Sequence, residues 1–146
     1  MIEWRSFMKG KKRLFSVIIV LFIIIIGLVW WYSPVSLMTN VNSEDVSCIE
    51  VTGGNSGGVF LITDTDTIVS IVTNIQNTPL KKSKVSIMYS GALYDLSFKD
   101  PQGNTVYNLI VNDSSTIRKD PFFYHDSTES ICFDLLEKLE VTARVE

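Results

Sequence analysis

From Leu14 to Tyr32 the chain reads LFSVIIVLFIIIIGLVWWY, 19 residues without a charge. At about 1.5 Å per residue a helix of that length covers roughly the 30 Å hydrocarbon layer of a bilayer, so the pattern predicts a transmembrane anchor. Residues 33–45, SPVSLMTNVNSED, are polar and without period, and read as a tether. In VSCIEV, Val46 and Cys48 flank Ser47, then Ile49 and Val51 flank Glu50. The alternation slips by one residue, which predicts a strand with a bulge at Cys48–Ile49 or with both faces partly buried. The string GGNSGG and then VFLIT follow, a glycine cluster between two β-prone runs and therefore a hairpin signal. In DTDTIVSIVTNIQN the period changes: Ile68, Ile71, Val72 and Ile75 fall at i, i+3, i+4 and i+7, behind Asp64 or Asp66 as cap. That is an amphipathic helix, stopped by Pro79 and the polar LKKSK.

Residues 85–111 read as antiparallel sheet through VSIMYSG, ALYDLSF and TVYNLIV, with a tight turn at KDPQGN. Tyr94, Leu96 and Phe98 alternate with Asp95 and Ser97 and should face the core. STIRKDPFFYH adds a short edge strand, where Pro121 is tolerated because it has no N–H to donate. A closing helix, ESICFDLLEKLE, is expected after a Ser127 or Thr128 cap, with Ile131, Leu135, Leu136 and Leu139 on one face. The expected fold class is α+β: a transmembrane helix, then one domain of order ββ-α-βββ(β)-α. The expected organisation is a basic tail over residues 1–13, an anchor over 14–32, a tether over 33–45 and the α+β domain over 46–146.

Charge orients the anchor. Residues 1–13 hold five basic residues, among them Lys11, Lys12 and Arg13, against one acidic residue, and the next basic residue is Lys81. The positive-inside bias places the N-terminus in the cytoplasm and the C-terminal domain outside, as a single-pass cell-membrane protein. Trp30, Trp31 and Tyr32 suit the interfacial level at the far end of the span. A cleaved signal peptide is the rival reading, but its apolar run is shorter and ends in small residues, unlike WWYSPVSLM. Met8 opens MKGKKR, an alternative start to Met1. Beyond residue 13, eight basic residues face fifteen acidic ones. An acidic domain without a basic stripe has no electrostatic footing for nucleic acid.

Cys48 and Cys132 both lie on the exported side and form a candidate disulfide, closing a loop worth about 4 kcal/mol by chain entropy. Two separately buried thiols are the competing reading, since each cysteine sits in an apolar stretch. Two cysteines and one distant histidine give no metal-ligand spacing, and no cofactor motif is present. G-N-S-G-G around Ser56 resembles a serine-protease nucleophile loop and fits G-x-S-x-G. His125, the single histidine, follows the serine, which reverses the protease order. The hydrolase order is available through Asp95, Asp100 or Asp113, but an elbow needs a helix after the serine and GVFLIT reads as a strand. A glycine turn is the expected reading, because glycine supplies positive φ at no steric cost. Asp64 and Asp66 lack the rest of a calcium loop. Lys81, Lys82 and Lys84 read as a solvated cluster, or one touching anionic headgroups. Asn112 opens a glycosylation triplet that matters only in a eukaryotic secretory route.

FLITDTDTIVSIVTNIQN, YDLSFKDPQGNTVYNLIV and FFYHDSTESICFDLLEKLE, behind a basic start and an isoleucine-rich anchor, together resemble small membrane-anchored extracytoplasmic domains from Gram-positive bacteria. The resemblance spans most of residues 46 to 140 and implies an extracytoplasmic α+β module without an assigned reaction. The leading expectation is a non-catalytic binding module with a protein or cell-envelope partner and no cofactor. A serine hydrolase using Ser56 and His125, and a structural subunit of a membrane complex, are the alternatives.

Overall fold

The chain divides into two units, Met1–Ser33 and Pro34–Glu146. A computed structural model describes residues 3–53, 57–128 and 131–144, with side chains from Arg13 onward. The first unit is one helix, α1 (Glu3–Tyr32). Its stretch Arg13–Tyr32, 20 residues of mean hydropathy 3.0, is long and apolar enough to cross a membrane. Apolar side chains from Leu14 to Trp30 are exposed on every side of the helix rather than along one stripe.

The second unit is α+β. Its strands are β1 (Cys48–Gly53), β2 (Gly58–Ile62), β3 (Lys81–Val85), β4 (Tyr94–Lys99), β5 (Thr105–Asp113), β6 (Thr116–Lys119) and β7 (Phe122–His125); its helices are α2 (Thr65–Asn77) and α3 (Phe133–Ala143). The strands form one antiparallel sheet in the order β2-β1-β4-β5-β6-β7-β3. Helix α2 starts where the sequence places it: Asp64 accepts hydrogen bonds from the Thr67 amide at 2.9 Å and the Thr67 hydroxyl at 2.6 Å. Those bonds stabilise the carboxylate and hold the Asp64 pKa below its ordinary value. Ile68, Ile71, Val72 and Ile75 are all buried, each contributing about 1.5–3 kcal/mol.

Registers fix the two faces. Ile49, Val51, Leu96, Phe98, Leu109, Val111, Ile117 and Tyr124 alternate onto one face and join the α2 stripe, Ile131 and Leu136 in a single core. Glu50, Asp95, Ser97, Lys99, Ile110 and Arg118 lie on the other face, half-buried by one another. Strand β1 carries no bulge, because Cys48 to Gly53 pair residue for residue with Lys99 to Tyr94. The slip in the sequence pattern arises because buried Val46 lies before the strand, while Cys48 is half-buried on the open face.

Four elements differ from expectation. Residues 34–45 are not a loose tether: Leu37 and Met38 are buried, Val35 pairs with Leu80, and Gln76 Nε2 donates to the carbonyls of Met38 and Val41. Of VSIMYSG only Val85 lies in a strand, at the end of the polar Lys81–Val85, which β7 recruits as a rim. STIRKDPFFYH forms both arms of the β6–β7 hairpin, with Pro121 after a cis peptide bond at its turn. Helix α3 begins after Cys132 with no side-chain cap, because Thr128 turns to Asp126 instead.

Candidate functional site

A sheet has two rims, and here they are chemically opposite. Strand β2 ends the sheet at one side, and no strand lies beyond it among the described residues. Its sequence, Gly-Val-Phe-Leu-Ile, contains neither charge nor proline. Phe60 and Ile62 turn to the core, while Val59 (62% exposed) and Leu61 (59%) stand on the open face. The rim is fastened to the sheet at Gly53, whose φ of +116° suits glycine, and where a Cβ would come within 2.2 Å of the Leu93 carbonyl oxygen. Strand β3 ends the opposite side with Lys81, Lys82 and Lys84 and a register break between Lys82 and Lys84.

Between the rims the open face carries paired charges. Lys99 Nζ lies 2.7 Å from Glu50, and Arg118 Nε lies 3.2 Å from Asp120. Lys119 Nζ donates to the Asn108 carbonyl at 2.7 Å and side-chain oxygen at 2.6 Å, and lies 4.4 Å from the Tyr107 ring centre. Desolvation pushes its pKa down, against the pull of Asp120. Desolvation likewise raises Asp95, with Arg118 opposing. With Asn108 and Asp120 these side chains line a shallow polar depression. Its cations are engaged with oxygen or ring partners already on the protein.

A second polar group, missed in the sequence, sits under α3. Glu140 is only 5% exposed and accepts from Tyr94 Oη at 2.8 Å and Arg144 at 2.6 Å. Burial and the Glu140 carboxylate together push the Tyr94 phenol well above its usual range. The signal was present: Glu140 falls four residues after buried Leu136, a charge on the apolar stripe. A buried carboxylate needs donors, and Tyr94 and Arg144 supply them.

The residues singled out from the sequence are dispersed. Lys11 and Lys12 lie in α1 with side chains outside the description; Arg13, Trp30 and Tyr32 are exposed and Trp31 is half-buried. Cys48 and Cys132, the candidate disulfide pair, stand as free thiols. Cys48 lies on the open face, whereas Cys132 joins the core beneath α2, its amide donating to Asn74 Oδ1. Burial pushes the Cys132 thiol up to about 11. Ser56 lies outside the described residues. Its flanks Gly53 and Gly58 are paired in the β1–β2 hairpin, and a strand rather than a helix begins at Gly58. His125 pairs with Lys81 and Thr116 on β7, four inter-strand spacings or about 19 Å from β1. Among the described residues no group of three or more His, Cys, Asp or Glu could hold a metal ion.

No protein-family model matches the chain, nor does any curated protein or solved structure.

Proposed function

We propose that this chain is a membrane-anchored binding module: α1 spans the bilayer with its N-terminus in the cytoplasm, and the second unit, outside, accepts an extended strand of a partner protein along β2. The anchoring is supported by the 20-residue apolar stretch with exposed apolar side chains on every side, and by the basic cluster before it with no basic residue after it until Lys81. The family resemblance in the sequence has the same implication.

The uncharged β2 rim carries the binding reading. Backbone N–H and C=O groups at a rim supply hydrogen bonds to an added strand, and side chains on the pleat supply selectivity. Val59 and Leu61 would meet alternate apolar residues of that strand. Binding is favoured over hydrolysis by Ser56 because the described flanks of the serine form a hairpin whose strands are remote from His125.

Affinity capture with full-length protein from membranes in mild detergent tests the reading. The expected result is a recurrent protein kept by the native chain and lost by Leu61→Lys. The same set with both chains would contradict a β2 site, and a second copy of the chain as the sole capture would make the occupant itself.

A further inference from the structure

The opposite rim has a different use. We infer that β3 and the turn Ser86–Tyr89 form a docking surface for the headgroup layer of an anionic bilayer, the membrane that carries α1; this rests on the anchoring proposed above. Three of the eight basic residues beyond residue 13 fall within the five residues of β3, in a region that is otherwise strongly acidic. The register break changes how they are displayed. Lys81 pairs with His125 and Lys84 with Phe123, positions two apart on β7, so Lys81 and Lys84 share the open face.

The turn beside them is built to present apolar side chains. Ser86 is buried, its amide donating to the Pro121 carbonyl at 2.8 Å and its hydroxyl bonded to Asp120. The Tyr89 amide closes the turn on the Ser86 carbonyl at 3.0 Å. Ile87 (65% exposed) and Met88 (97%) occupy its two corners. Met88 has φ +69°, a conformation turns normally assign to glycine or asparagine. The base is packed: the Tyr89 ring lies edge-on to Phe123 at 5.2 Å, and Lys84 Nζ lies 4.6 Å and 4.7 Å from the two ring centres. Apolar corners flanked by ammonium groups match the acyl–headgroup boundary of an anionic membrane, where each lysine favours docking by roughly fivefold.

Chain connectivity points the same way. Only Ser33 and Pro34 separate the end of α1 from Val35, and Val35 pairs with Leu80, the residue before β3. The lysine strand therefore begins beside the point where the chain enters the domain. A bilayer is a better match than a protein groove-binder because three lysines flank two exposed apolar side chains, and the carboxylate beside them, Asp120, is already engaged by Ser86 and Arg118.

Oxidation of methionine reads the site. Full-length protein is placed in nanodiscs of phosphatidylcholine alone, or mixed with phosphatidylglycerol, in native membranes, and in detergent; hydrogen peroxide is added and Met88 sulfoxide is followed by mass spectrometry. Met38, buried in the core, serves as the internal control. The expected result is oxidation of Met88 several-fold slower in the anionic discs than in detergent, with protection weakened by salt and by Lys81→Glu. Equal rates in anionic discs and detergent, in protein that has entered the discs, would overturn the docking alone. Protection that is identical in zwitterionic discs and indifferent to salt would remove the lysines from it. Protection found only in native membranes would assign the surface to a protein, and failure to enter the discs would overturn the anchor together with the docking.

Discussion

Strand β2 and strand β3 both end the sheet, yet one reads Gly-Val-Phe-Leu-Ile and the other Lys-Lys-Ser-Lys-Val. A rim strand offers unpaired backbone to any passing chain, and lysines with a bulge are the usual protection. Strand β3 has both devices and β2 has neither. The difference teaches that the two sides are under different demands: one is kept from pairing, and the other is left able to pair. The adjoining turns repeat the contrast. Gly53, beside β2, holds a positive φ against the Leu93 carbonyl, while Met88, beside β3, holds a positive φ with its side chain in the open.

Breaking the β2 side should have the largest effect. Gly53→Ala sets a Cβ against backbone and forces an unfavourable φ, and urea unfolding of the full-length protein in mild detergent, followed by circular dichroism, should show a loss of about 3 kcal/mol. A loss under about 0.5 kcal/mol would mean that β2 is not held by that contact. The same class of experiment on the β3 side should change sign. Met88→Gly relieves about 1–2 kcal/mol of left-handed strain against about 0.4–1 kcal/mol of added unfolded-chain entropy, and should stabilise the fold by up to about 1 kcal/mol in the same urea measurement. A destabilised Met88→Gly would show that the methionine packs on the domain rather than outward.

Leu61→Lys copies the β3 device onto β2. Its effect on stability should stay within about 0.5 kcal/mol, because the side chain is exposed, while partner capture falls by tenfold or more. Lost stability of several kcal/mol would recast β2 as core. The smallest expected effect lies midway between the rims. Asp95 has its folded pKa raised, chiefly by desolvation, so its contribution to stability is complete below the unfolded value of about 3.9 and is lost as pH rises through the folded value. Asp95→Asn should therefore flatten stability across that window and gain, at neutral pH, no more than about 0.5 kcal/mol after solvent screening. Native stability that instead climbs through the window by more than the variant's would contradict the sign.

What is legible in the sequence follows burial. Helix α2 and strand β4 were legible because burial on one face imposes a period: Ile68, Ile71, Val72 and Ile75 at 3.6, and Tyr94, Leu96 and Phe98 at 2. At the rims burial no longer dictates the letters. Strand β3 reads as polar loop because its pairing with β7 is made by backbone, which has no sequence signature, and VSIMYSG reads as strand because its exposed apolar corners mimic a buried run. Residues 34–45 read as tether because Leu37 and Met38 bury without any period, through long-range contacts to Leu80 and Gln76. Glu140 could be suspected from its place on the α3 stripe, but its partner Tyr94 lies 46 residues away and only the fold brings them together. Of the candidate site, the glycine hairpin and the lysine cluster were visible; the opposition of the two rims was not, because strand order is a property of the whole sheet.

The proposed role requires β2 to pair with a partner strand at the membrane surface. A photo-crosslinking residue placed at Leu61, and in a second chain at Ser83 on β3, and activated in intact cells, tests it most directly. The expected result is one recurrent protein adduct from position 61, with the adjoining backbone amides of β2 slowed in hydrogen exchange when that partner is present, and no protein adduct from position 83. No adduct from position 61 above that of a core position such as Leu96, or the same adducts from both rims, would contradict it.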